Sequence, residues 1–134
     1  MSEENVEIVR QSLAATSGGD PEAAQAAFDP LIEWDMSGVR GWLEKSVYRG
    51  PEVLEFLRAW ADSWQDWHFD VTDVRDAGGD RVFAAIHEWG IGAESRVDVE
   101  QRRYFVFTVR GGLLVRVQMF SESAEALEVA GLSE

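Results

Sequence analysis

The chain of 134 residues has no cysteine and a single lysine, Lys45. Without cysteine there is no disulfide framework, no thiolate nucleophile and no Cys-ligated metal, a pattern that fits a reducing cytoplasm. Histidine is scarce too. His68 and His87 are the only two, expected on different faces of a sheet, so no metal site is implied. Positive charge is outweighed: 12 Lys and Arg against 25 Asp and Glu leave a formal charge of −13. Neutralising phosphates takes clustered basic residues, so nucleic acid is excluded as a partner and an anionic membrane surface is disfavoured. No apolar run reaches membrane-spanning length. The start, "MSEENVEIVR", lacks the basic opening and apolar stretch of a signal peptide, and a cytoplasmic location is expected. With no glycine-rich phosphate loop and no lysine placed for a Schiff base, no organic cofactor is implied.

What the chain does have is apolar and aromatic mass. Apolar residues make up 46%, and six Trp, seven Phe and two Tyr suit both a packed core and the wall of a small-molecule pocket. The length is that of one domain, 1–134. Ser2 with Glu3 and Glu4 reads as a helix start, Val6, Val9 and Leu13 recur at helical spacing, and Ser17-Gly18-Gly19 ends the run. Asp20-Pro21 caps a second, alanine-rich helix that Asp29-Pro30 closes. "LIEWDM" (31–36) has strand composition, and 37–47 reads as a loop. Gly50-Pro51 opens a third helix whose apolar face is Val53, Leu57, Trp60 and Trp64. From Trp67 the period becomes two. Further strands are expected near 80–91, 97–110 and 113–121, with Gly78-Gly79 and Gly111-Gly112 at hairpin turns, then a helix over "SAEALEVAG" stopped by Gly131. This order argues for an α+β domain with helices on one face of a largely antiparallel sheet.

The Gly19-Asp20 break, the "EWD" of the first strand, "YRG" before the third helix and the closing "AEALEVAG" make the chain resemble, over its whole length, the SnoaL-like branch of the nuclear transport factor 2-like superfamily. The resemblance implies a strongly curved sheet wrapped around a cone-shaped cavity closed by the N-terminal helices. Members include polyketide cyclases, ketosteroid isomerases, epoxide hydrolases and non-enzymatic binders, so activity has to come from the site. Fitted to the isomerase pattern, Asp35 falls on the general base, while Ser12 and Phe105 stand where the two oxyanion donors are needed. Classical steroid isomerisation is therefore not expected.

The same fit orients the strands. With Phe105 facing the cavity, Gln101, Arg103 and Phe107 share its face. Arg116, Gln118 and Phe120 are expected there on the last strand. With Trp89 as a pocket aromatic, Phe83 and His87 line the cavity and Glu88 points away. Phe56 and Trp60 from the third helix and Tyr48 at the rim complete the expected ligand-binding set. Two function classes follow. In one, a small, largely apolar polyketide, terpenoid or aromatic molecule is turned over by Asp35 as base, His87 as acid partner and Arg103 as electrophilic clamp. In the other, Asp35, His87 and Arg103 form a structural network in a non-catalytic binder or interaction domain. A cavity of several hundred cubic ångströms with Asp35 and His87 on its wall would favour the first; a solvent-facing His87 would favour the second. An apolar outer face made by Val106, Thr108, Val115, Val117 and Met119 implies a homodimer.

Overall fold

The computed structural model describes residues 2–18 and 20–132. Gly19, the acidic tail at 133–134 and the side chains of Ser2 and Pro21 lie outside the described residues. Helix α1 (Ser2–Ser17) buries Val9 and Leu13, one turn apart, against the sheet. In α2 (Pro21–Gln25) the Asp20 carboxylate accepts from the Ala23 N–H at 3.1 Å, the expected cap. Strand β1 (Phe28–Gly38) is longer than its hydrophobic run, and an unexpected short strand, β2 (Val47–Arg49), begins at the last residue of the stretch read as a loop. Helix α3 (Pro51–Asp62) stops before Trp64, which opens β3 (Trp64–Asp76) instead of extending the helix face. Then come β4 (Arg81–Gly92), β5 (Asp98–Arg110), β6 (Leu113–Phe120) and α4 (Ser123–Ala130). Gly111 and Gly112, both at positive φ, make the two-residue turn between β5 and β6.

The six strands form one curled sheet in the order β2-β1-β6-β5-β4-β3. Among the described residues only the β1–β6 pair is parallel. Register shifts in β1, β3 and β6 supply local bends. The concave face receives α1 and α3: Val9, Leu13, Val53 and Leu57 pack on Ile32, Trp34, Met36, Ile86, Phe105, Phe107, Val117 and Met119. A second cluster lies on the convex face, where Ala126, Leu127 and Ala130 of α4 cover Phe83, Ala85, Val106 and Phe120.

This helix overturns the expected apolar outer face. Val106 does point outward, but it is fully buried in the cluster with α4. Val117 and Met119 belong to the concave side, packed in the inner core.

One close approach constrains the far end of β4. A Cβ built on Gly90 would lie 1.8 Å from the Asp66 carbonyl oxygen, a backbone atom of β3 that cannot step aside. Gly90→Ala is therefore expected to cost about 1–3 kcal/mol or more through overpacking. Urea unfolding would show it as a lower midpoint at unchanged slope.

Candidate functional site

Between α1, α3 and the concave sheet lies a cavity of about 50 Å³. At roughly 10–15 Å³ per water position it has room for about four waters, whose liquid volume of roughly 120 Å³ is that of one small ring. Ligand pockets for drug-sized molecules start at roughly 300 Å³. The wall is built from every inward element: Leu13, Phe56, Leu57 and Trp60 from the helices, Trp34 and Met36 from β1, Trp67 and Phe69 from β3, Ile86 and Glu88 from β4, Phe105 and Phe107 from β5, and Met119 from β6. Ser12 and Thr16 bring hydroxyls from α1. Rings interlock along the wall, with Trp34 5.9 Å from Phe56 and 6.4 Å from Phe105, centre to centre. Trp42, from the β1–β2 connection, lies over Phe56 and Trp60 at 5.8 and 6.1 Å.

Among the described residues, Glu88 is the one ionisable group on this wall. It is 1% exposed. Its Oε2 accepts from the Trp60 indole at 3.0 Å and the Trp67 indole at 2.8 Å, and its Oε1 accepts from the Gln101 amide at 2.7 Å. The Arg103 Nε stands 4.0 Å from Oε1, and only 13% of the Arg103 side chain is exposed. That Nε has no hydrogen-bond partner among the described residues, nor does the buried Trp64 Nε1. Burial pulls the Arg103 pKa below the usual guanidinium value, and the Glu88 charge pushes it back up.

The expected site residues divide between the two faces. Phe56, Trp60, Phe105 and Phe107 line the cavity, as does Ser12, where the isomerase fit placed it. Gln101 and Arg103 share the concave face of β5 and meet Glu88. Tyr48 stacks on Phe56 at 4.4 Å, outside the wall itself. Burial, with Glu44 adding, raises its phenol above the usual value.

The rest are reversed. Asp35 lies on the convex side of β1, where Oδ2 is 3.6 Å from Arg116 Nη2. Arg116 also binds Glu33 at 3.1 Å. Gln118 alternates with the inward Val117 and Met119, and Phe120 and Phe83 pack under α4. His87 sits outside, its Nε2 2.8 Å from Glu100 and its ring 5.2 Å from Trp89. Trp89 is flanked on its other strand by His68, at 5.7 Å. Asp35, His87 and Arg103 therefore form neither a catalytic set nor the alternative structural network. Strands β6 and β5 stand between Asp35 and His87, and Arg103 faces the opposite side of the sheet from both.

Two signals in the sequence pointed the right way. In "LIEWDM" and "LLVRVQMF" simple alternation puts Trp34 and Met119 inside and Asp35 and Arg116 outside. In β4 that signal is blurred, because "VFAAI" is apolar on both faces, one for the cavity and one for α4. The carboxylate is then the buried member of His87-Glu88, since three N–H donors from remote segments meet it.

Glu88→Ala would leave those donors and Arg103 uncompensated, and a loss of about 3–5 kcal/mol is expected. Glu88→Gln keeps the volume and one acceptor oxygen but turns an NH₂ against the donors, so a smaller loss is expected. Denaturant titration of the two variants beside the parent checks the order; equal stability of Glu88→Ala and the parent would refute the role given to Glu88.

The SnoaL-like domain model matches residues 9–117. No curated protein matches the chain. Among solved structures, an NTF2-like protein from Burkholderia thailandensis is 26% identical, with 92% of this chain and 96% of that one aligned at a TM-score of 0.74. TerC, co-crystallised with polyporic acid, is 17% identical over 96% of this chain and 98% of its own, at 0.75. A protein with a ketosteroid isomerase-like fold from Catenulispora acidiphila, in complex with trimethylamine, is 17% identical over 95% and 94%, at 0.73. The low identities carry the fold alone, but the family model covers most of the described chain, and the chain belongs to the SnoaL-like domain family.

Proposed function

We propose that this protein binds a small, largely apolar molecule, about one ring in size, in the concave cavity. The observation that carries the proposal is the contrast on the wall: an almost wholly aromatic and aliphatic enclosure with one buried carboxylate at its edge. Such a surface is apolar over most of its length and keeps one charged handle, with the Ser12 and Thr16 hydroxyls beside the aromatic wall, for orientation. Polyketide- or terpenoid-sized bodies exceed the space, so an aromatic fragment is the better match. With Asp35 and His87 on the convex face, a binding module is favoured over an Asp/His enzyme. Proton transfer to a molecule in the cavity, the remaining route to an isomerase-, cyclase- or lyase-like activity, would run through Glu88. The presence of small molecules in related structures, polyporic acid with TerC and trimethylamine with the Catenulispora protein, supports binding in this fold. A cytoplasmic location belongs to the same proposal and rests on the cysteine-free composition.

Benzene is the probe of the cavity. A ligand that binds only the folded state raises its melting temperature by mass action. Benzene is expected to raise the Tm of the parent and to leave that of Ile86→Phe, which fills the cavity, unchanged. No shift in the parent, or the same shift in both, would sink the binding proposal.

We also propose a homodimer through the part of the convex face that α4 leaves open. There Leu31, 83% exposed, and Val115 adjoin Glu33, Arg116 and Gln118. Because the ion pairs on that face close within one protomer and Leu31 and Val115 supply the apolar contact, the dimer should persist as salt rises. Sedimentation at low and high ionic strength tests this, and a monomer at high micromolar concentration in low salt would rule the dimer out.

A further inference from the structure

We infer that the occupant of the cavity is an uncharged hydrogen-bond donor, an alcohol or phenol about one ring in size, that donates a hydrogen bond to Glu88 Oε1. The inference rests on the cavity being a binding site and adds the chemistry of what it takes. An ionised carboxylate has about four acceptor positions and no donor. Three are filled by protein: two on Oε2, by Trp60 and Trp67, and one on Oε1, by Gln101. Arg103 Nε, at 4.0 Å, is too far to fill the fourth. Glu88 lines the cavity, so its remaining acceptor position belongs to the molecule that enters.

Charge decides the rest. Glu88 and Arg103 are enclosed together and their charges cancel at 4.0 Å. An ammonium ligand would bring a second positive charge to a carboxylate that Arg103, which does not itself line the cavity, already balances. A carboxylate ligand would face Glu88 with like charge, and either ion loses its hydration on entry. A neutral O–H meets the open acceptor position without disturbing the balance. A ligand with only a carbonyl has nothing to give Glu88. Its oxygen would stand beside the carboxylate as one acceptor against another.

Calorimetric titration of the parent at neutral pH with benzyl alcohol, benzaldehyde and benzylammonium separates these chemistries on nearly the same skeleton. Benzyl alcohol is expected to bind roughly tenfold or more tightly than the other two, the effect of one hydrogen bond to a buried charge. Benzaldehyde binding as well as benzyl alcohol, or benzylammonium binding best, would overturn the inference while benzene binding left the cavity proposal standing. Failure of all three together with benzene would overturn both. Arg103→Met is a second probe, because it removes the balancing cation and should shift preference toward benzylammonium by roughly tenfold. An unchanged ratio in a folded Arg103→Met protein would contradict the charge balance. If that variant does not fold, the three ligands on the parent decide alone.

Discussion

The structure turns on a carboxylate buried where carboxylates seldom sit. Burying an ionised group costs several kcal/mol unless its acceptor positions are filled. Glu88 meets that condition only because three segments converge on it: Trp60 at the end of α3, Trp67 early in β3 and Gln101 in β5. Each bond also sets geometry. The Trp60 bond ties α3 to the concave face at one end of the cavity, while the Trp67 and Gln101 bonds reach the two strands that flank β4. Arg103 adds the balancing charge without a direct hydrogen bond. The polar cluster and the apolar cavity are thus parts of one arrangement, in which the same indoles that satisfy the carboxylate also wall the open space.

The sheet is covered on both sides, and this separates the chemistry of its faces. Helices α1 and α3 close the concave side over the cavity, and α4 closes part of the convex side over Phe83, Val106 and Phe120. Beyond the reach of α4 the convex face is polar. Asp35, Glu33, Arg49 and Arg116 form a ladder across β2, β1 and β6. At the other end both histidines flank Trp89, each bound to a carboxylate, Asp66 or Glu100. These are surface polar contacts, worth little individually to stability.

Much of the fold could be read along the chain. The openings of α2 at Asp20-Pro21 and of α3 at Gly50-Pro51, the stops of α1 and α4, the long strands β4, β5 and β6, and the glycine turn at Gly111-Gly112 all have local causes, and local causes are visible in local sequence, whereas α2 ends at Gln25, short of the expected Asp29-Pro30. The errors of assignment also have physical reasons. Strand β2 has three residues, too few to show a period, and it exists because Val47, Tyr48 and Arg49 pair with β1. Trp64 keeps helical spacing from Trp60, yet α3 ends at Asp62 and Trp64 opens β3.

The candidate site was less legible. On β5 the anchor at Phe105 oriented Gln101, Arg103 and Phe107 correctly. On β1, β4 and β6 the functional pattern of the isomerase branch reversed the face, even where alternation in "LIEWDM" and "LLVRVQMF" opposed it. By itself the sequence determined the family, the order of helices and strands, and the want of thiol or clustered basic chemistry, since each follows from composition or from patterns a few residues long. Only the tertiary structure decided which of two adjacent residues, His87 or Glu88, is inside. A buried carboxylate is stable solely where remote donors meet it, and Trp60, Trp67 and Gln101 reach Glu88 only once α3, β3 and β5 have assembled around β4.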